Sequence, residues 1–474
     1  MADLSQASKG SDGRGLSALV AIGAASVLAS LDLFVVNLAF SSISASFPSA
    51  SPQAMTWVLN AYGVVFAALL VPSGRLADRF GRKRLFRLGL LVFACGSLGA
   101  AIAPEAGTLI VARGTQGAGA ALIVPTSLAL LLSAYPQERH KRMVSLWAAT
   151  GSVAAAAGPV LGGVLTRYDW RWIFVINVPI AITGLVLAAN LKETATLRTR
   201  VPDLLGSALL VTGVGALVTA VSYVTEWGLA DPWLWSVLAT GLLALVWFLR
   251  RCLTHVAPAV DLRVFRAPSF TVATLGMTCF YIGFSIMLLG CSLFLTDVWE
   301  WDPVPAGLGF ASGPATAVIT AVIAGRASLE PHRLAGLGST FFVAAGALWF
   351  FFLTERTGYF PVYFAGTVLT GAGAGIAQTG FLAGGVGGLP AQEYATGTGV
   401  LNACRQIGGA IGVAILIAVT GGGHDANRYR IAWAVMAAAG LIAALSALAL
   451  REPPAPSAHD APLPSMSRTP RGQR

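Results

Sequence analysis

Apolar runs long enough to cross a hydrocarbon layer follow one another along almost the whole chain, separated by short polar stretches. Taking about 20 residues per crossing, they fall at 16–40, 54–74, 88–104, 107–133, 143–166, 172–191, 204–224, 233–249, 269–293, 304–324, 334–353, 360–382, 397–420 and 431–450. These fourteen runs predict an all-α polytopic membrane protein with both termini on one side. Beyond Pro453 the pattern stops, and a tail rich in Pro, Ser and Arg reads as disordered.

Composition agrees. Of 474 residues, 55% are apolar and only 11% charged, with mean hydropathy +0.72; a soluble chain carries about a quarter charged residues. The first run is too long for a signal-peptide core, contains Asp32 and lacks a small-residue cleavage site, so it is expected to stay as the first helix. Five cysteines sit mostly inside apolar runs at no metal-binding or disulfide spacing and read as packing residues.

The net charge of +10 would suit a nucleic-acid binder, but the basic residues are clustered between the runs. With the termini and alternate loops counted as one side, that side holds 24 of the 31 Lys and Arg residues. The other side holds five: Arg167, Arg171, Arg356, Arg428 and Arg430. The bias places the basic side, with both termini, in the cytoplasm and the chain in the cell membrane. Trp170, Trp172, Trp227, Trp233, Trp235, Trp299 and Trp301 gather near the outer ends, as an interfacial belt would. No nucleic-acid partner is expected; the lipid bilayer is one.

A weak internal repeat sets the domain plan. Gly117-Ala118-Gly119-Ala120 in helix 4 matches Gly371-Ala372-Gly373-Ala374 in helix 12 (371 − 117 = 254), and Gly74-Arg75 matches Gly325-Arg326 (325 − 74 = 251). The expected organisation is a six-helix half over 1–195, two inserted helices over 196–265, a second six-helix half over 266–452 and a cytoplasmic tail over 453–474. Paired halves with a site at their interface are a transporter design.

Three charges lie inside runs: Asp32, Arg113 and Arg405. Asp32 in helix 1 is costly in hydrocarbon unless protonated, paired or wet, which makes it a candidate proton carrier. Arg113 in helix 4 falls at a similar depth and is its natural partner, with Gln116 following on the same face. Asn37 is placed near the same cavity. Helix 13 carries Asn402, Arg405 and Gln406 on one face, fit either to bind a substrate or to bridge the halves. In helix 5, Gly158, Pro159, Gly162 and Gly163 permit a close and bent helix approach. The stretch Ser73 to Arg84 reads as a tight cytoplasmic turn. There Asp78 would pair with Arg82 or with a helix N-terminus, and with Gly74 and Gly81 would latch one half to the other.

With these residues placed, the chain resembles the major facilitator superfamily, and within it the fourteen-helix drug:proton antiporters. The turn Gly74 to Arg84 is similar to the family's signature G-x-L-a-D-r-x-G-r-k-x. Arg113-Gly114-Thr115-Gln116-Gly117 resembles the helix 4 motif tied to proton coupling, and Gly158-Pro159-Val160-Leu161-Gly162-Gly163 the antiporter motif of helix 5. Trp170 to Pro179 and Asn402 to Gly409 resemble that family's helix 6 and helix 13 segments. The chain departs from the pattern at Phe34 and Ser41, where a Thr and a Pro are usual, and at Ser145 and Ala154, where glycines are.

The resemblance implies no enzyme and no cofactor, but a single-chain carrier driven by the proton gradient. It would export a small hydrophobic or amphipathic drug or antibiotic by alternating access, with protons as co-substrates. Protonation of Asp32 from outside would loosen Arg113 and release the compound outward. No acid is found inside helices 10 to 13, which favours neutral, monocationic or zwitterionic compounds over dications. A proton-coupled importer or uniporter of the same fold is the alternative. A membrane-embedded transferase is disfavoured because His140, His255, His332, His424 and His459 are scattered through loops and tail.

Overall fold

The computed structural model describes residues 2–135, 137–191, 193, 200–390, 393–421 and 425–450; the expected disordered tail lies outside them. Every regular element among these residues is helical, the only open arrangement that satisfies backbone groups in hydrocarbon. Among the described residues, thirteen helices are long and apolar enough to span a membrane. They are α1 (Leu19–Leu38), α2 (Pro52–Phe80), α3 (Arg82–Ala101), α4 (Ala106–Ala134), α5 (His140–Tyr168), α7 (Leu204–Trp227), α8 (Pro232–Thr254), α9 (Pro268–Val298), α10 (Pro303–Arg326), α11 (Pro331–Phe352), α12 (Tyr359–Gly387), α13 (Tyr394–Thr420) and α14 (Ala426–Leu448). The fourteenth, α6 (Trp172–Ala188), is shorter and is interrupted at Ile176.

Local chemistry sets many of the starts. Proline occupies the first helical position of α2, α8, α9, α10 and α11, where its missing N–H is not needed. Ser51, Asp203, Asp231 and Asp425 cap α2, α7, α8 and α14 by accepting backbone N–H bonds. Asp203 also takes two bonds of 2.8 Å from Arg251, which ties α7 to α8 and holds its carboxyl below the usual carboxylate range.

Helices α1–α6 pack among themselves, and α9–α14 repeat the same set of contacts. The pairs α3–α4, α2–α4, α1–α5, α1–α6 and α3–α6 correspond to α11–α12, α10–α12, α9–α13, α9–α14 and α11–α14. The glycines explain why. A Cβ added at Gly117 would meet the Tyr62 carbonyl, and one at Gly371 the Gly313 carbonyl, so α4 lies against α2 as α12 lies against α10. Gly158 and Gly162 press α5 onto Phe34 and Val35 of α1, and Gly408 and Gly412 press α13 onto Thr278 and Ile282 of α9. Backbones this close exclude any larger residue.

The two groups meet along α2–α13, α5–α10 and α1–α9, and α7 packs on α2 and α13. In α2 and α9, 72% of the apolar window is buried in the protein, against 22% in α8. The first two are therefore central, and α8 turns Leu242, Leu243, Val246 and Trp247 toward lipid.

The expected turn is tighter than the sequence suggests. Ser73 to Phe80 are the last turns of α2, and Arg82 already begins α3, so the reversal rests on Gly81 alone, with φ of 104°. A helix keeps the backbone bonded as it leaves the apolar layer, and one glycine in a region closed to other residues is enough to turn it. Glu193 closes the corner by accepting the N–H groups of Lys83 (3.0 Å) and Arg84 (3.2 Å) at the start of α3. A Cβ at Gly81 would lie 2.7 Å from the Glu193 carboxyl carbon. Gly81→Ala is expected to lower stability by about 1–3 kcal/mol, read as a drop in Tm in detergent; an unchanged Tm contradicts this account of the turn.

Candidate functional site

Arg113 enters the bundle from α4 and Asp32 from α1, and both are 2% exposed. One guanidinium nitrogen, Nη1, donates to Asp32 Oδ1 at 2.9 Å and Oδ2 at 2.7 Å, and to Gln116 Oε1 at 2.8 Å. Nε donates to the Val58 carbonyl of α2 at 2.8 Å. Gln116 in turn donates to Ser97 of α3 at 2.7 Å and to Asp32 Oδ1 at 3.4 Å. The guanidinium lies 4.9 Å from the Tyr62 ring centroid (α2) and 5.7 Å from that of Phe174 (α6). Buried charges persist only when paired and hydrogen-bonded, and here the pair engages five of the first six helices.

Arg113 also faces outward from this network, into a cavity of about 50 Å³ between the two helix groups. Asn37, Asn60, Tyr62 and Arg113 line one side, Ser285 and Gln406 the other. Small-molecule sites usually hold about 300–1,000 Å³, so a drug-sized occupant requires the groups to part.

Asn37 donates to the Leu33 carbonyl of its own helix at 2.6 Å, leaving its amide oxygen for the cavity. Asn402 likewise bonds its own helix at Thr398, 2.9 Å away, and does not line the cavity. Arg405, next to Gln406 in sequence, lies 5.1 Å from the Tyr281 ring centroid of α9. The face expected to be shared by these three thus divides, with only Gln406 against the cavity.

Sequence reasoning missed Asn60, whose Nδ2 is buried with no hydrogen-bond partner among the described residues. A lone amide in the middle of an apolar run is the signal that could have found it. Ser97, Tyr62 and Phe174 carried no such signal, being ordinary membrane-helix residues.

At the end of the bundle opposite the Gly81 turn, the helix groups are closed on each other. Gly163 of α5 lies against the Pro303 carbonyl of α10, and Gly307 of α10 against the Pro159 carbonyl of α5. Beside this seam, Ser41 donates to Asp297 at 2.6 Å and is 2.9 Å from Thr296 Oγ1. Asp297 lies in a π-helical turn ending α9, Phe294–Val298, just past the apolar run expected to end at 293. Trp170 donates to Ser46 at 2.8 Å at the same end. Asn177, one turn beyond Phe174, is fully buried with neither amide atom bonded among the described residues.

At the other end, Arg82 donates to Asp78 from Nε (3.0 Å) and Nη2 (2.8 Å), each side chain being one-third exposed. A Cβ added at Gly74 would meet Pro125 of α4 only at 3.9 Å, an ordinary contact. The Asp78–Arg82 pair thus sits within the first helix group. From this stretch Arg75 reaches beyond the group, donating to the Pro258 carbonyl after α8 at 2.6 Å.

The chain is similar to known proteins in sequence and in fold. Residues 22–413 match the model of the Major Facilitator Superfamily. The puromycin resistance protein pur8 of Streptomyces alboniger is 34% identical over 432 residues, covering 88% of this chain and 84% of its own. The cephamycin export protein CmcT of Amycolatopsis lactamdurans is 32% identical, covering 88% and 87%. The multidrug resistance protein Stp of Mycobacterium tuberculosis is 32% identical, covering 84% and 74%. Among solved structures, the peptide transporter POT with bound sulfate superposes with TM-score 0.66 at 15% identity, covering 92% and 93%. A bacterial homologue of the lysosomal transporter Spinster, inward-facing and unoccupied, gives 0.64 at 15%, covering 93% and 99%.

Proposed function

The chain belongs to the major facilitator superfamily, and we propose that it exports a small hydrophobic or amphipathic drug or antibiotic from the cell in exchange for protons. It is a multi-pass membrane transporter, not an enzyme. The observation that carries the export reading is the fully buried Asp32–Arg113 pair, whose guanidinium also walls the cavity between the helix groups. The names of the antibiotic resistance and export proteins it resembles support the same direction and substrate class.

In the reading proposed here, Asp32 is the proton site. Ionised, it fixes Arg113, which in turn holds α2 through the Val58 carbonyl and the Tyr62 ring. Protonation removes the charge that anchors the guanidinium, so the wall of the cavity changes with proton occupancy. The cavity's small volume and the closed seam at Gly163 and Gly307 support a reading by alternating access. The excess of basic residues at the Gly81 end supports a cytoplasmic placing of that end and of both termini. One charge moving inward yields about 2.3 kcal/mol per 100 mV, enough to drive a substantial gradient.

The test is susceptibility profiling in an efflux-deficient host, with puromycin and a cephamycin in the panel. Expression is expected to raise tolerance to at least one compound, and both a protonophore and Asp32→Asn should abolish the gain. A panel without change, or resistance indifferent to the protonophore, contradicts the proposal.

A further inference from the structure

The two arginines that lie inside apolar runs differ in one respect. Arg113 has a carboxylate, an amide and a carbonyl as acceptors. Arg405, near the middle of α13, has no carboxylate within salt-bridge range and no hydrogen-bond acceptor among the described residues. Its contact is the face of Tyr281, 5.1 Å away. That ring is fixed from behind, because the Tyr281 hydroxyl donates to Gln378 Oε1 of α12 at 2.6 Å. Arg405 is only partly buried. Gln406 beside it already lines the cavity.

A guanidinium stays charged at any physiological pH and is expensive in hydrocarbon without a counter-charge. A cation–π contact leaves its in-plane N–H donors unused. Five donors in a fixed fork match a carboxylate bidentately. We propose that Arg405, seated on Tyr281, is the anchor for a carboxylate on the exported compound, with the apolar body of that compound lying between the helix groups. This deepens the export reading and rests on it. It narrows the substrate class to amphipathic carboxylic acids, anionic or zwitterionic. It also gives the two arginines separate work, Arg113 sensing the proton and Arg405 holding the cargo.

Binding can be tested without knowing the natural compound or its direction of travel. Three probes sharing one apolar body, 3-phenylpropionate, 3-phenylpropanol and 3-phenylpropylamine, are titrated into the purified full-length protein while Tm is followed. The carboxylate is expected to bind most tightly and the amine most weakly. Arg405→Gln should weaken the carboxylate by roughly ten- to hundredfold while leaving the alcohol unchanged, and Arg405→Lys should recover part of the loss. Equal affinities for the three probes, a preference for the amine, or a carboxylate preference that survives Arg405→Gln would overturn the proposal. If Arg405→Gln does not fold, Arg405→Lys and the wild-type order decide it. Failure of proton coupling at Asp32 would leave these titrations untouched, so the two readings fail separately.

Discussion

Arg113→Leu is expected to destabilise the protein by about 3–5 kcal/mol, because it leaves Asp32 buried with its counter-charge gone. The Val58 carbonyl and Gln116 lose their donor in the same step. Transport should be lost as well. The double variant Asp32→Asn, Arg113→Leu separates the two effects: it removes both charges, so most of the stability should return while proton-coupled transport does not. Thermal unfolding and export measured side by side read this out. A double variant no more stable than Arg113→Leu would show that the loss came from packing around Tyr62 and Phe174 rather than from the orphaned carboxylate.

The second large effect is expected at the seam. Gly163→Val places a branched side chain against the Pro303 carbonyl, where even a Cβ has no room. Overpacking of this kind costs about 1–3 kcal/mol, and here the cost falls on the closed arrangement alone, because parting α5 from α10 relieves it. The opposite-end gate should therefore stand open and turnover should fall roughly tenfold or more. Cysteines placed at Ser41 and Thr296, whose hydroxyls are 2.9 Å apart, report the gate directly in a background without the native cysteines. They should cross-link readily in the parent and poorly with Gly163→Val. Gly74→Ala is the control, since its added carbon meets Pro125 only at 3.9 Å and should change neither reading. Efficient cross-linking in the Gly163→Val protein would contradict the role given to the seam.

Much of this molecule could be read from residue order, and the reason is the solvent. Hydrocarbon forces helices wherever twenty apolar residues run together, so thirteen of the fourteen runs are spanning helices and the other is a shorter helix interrupted at Ile176. It also makes any buried charge conspicuous, which is how Asp32 and Arg113 stood out. What surrounds that pair was not legible. Ser97, Val58, Tyr62 and Phe174 come from three other helices and contribute a hydroxyl, a carbonyl and two rings that are ordinary at any membrane position. Asp297 was overlooked because hydropathy fades near residue 293 while the helix continues through a π-helical turn. At the polar end of α2 the sequence predicts a turn because charge, not backbone geometry, is the visible signal there. The division of helix 13 has a similar cause. Asn402, Arg405 and Gln406 occupy neighbouring helical positions, but which of them meets the cavity depends on how α13 is rotated against α9, set by Gly408 and Gly412.

The central claim is that Asp32 exchanges the proton that pays for export. It is tested most directly by proton release from the purified protein when the exported compound binds, followed with a pH indicator in weakly buffered solution. Wild type is expected to release a proton on binding, and Asp32→Asn to bind the compound and release none. Release from Asp32→Asn equal to that of wild type would place the coupling site elsewhere.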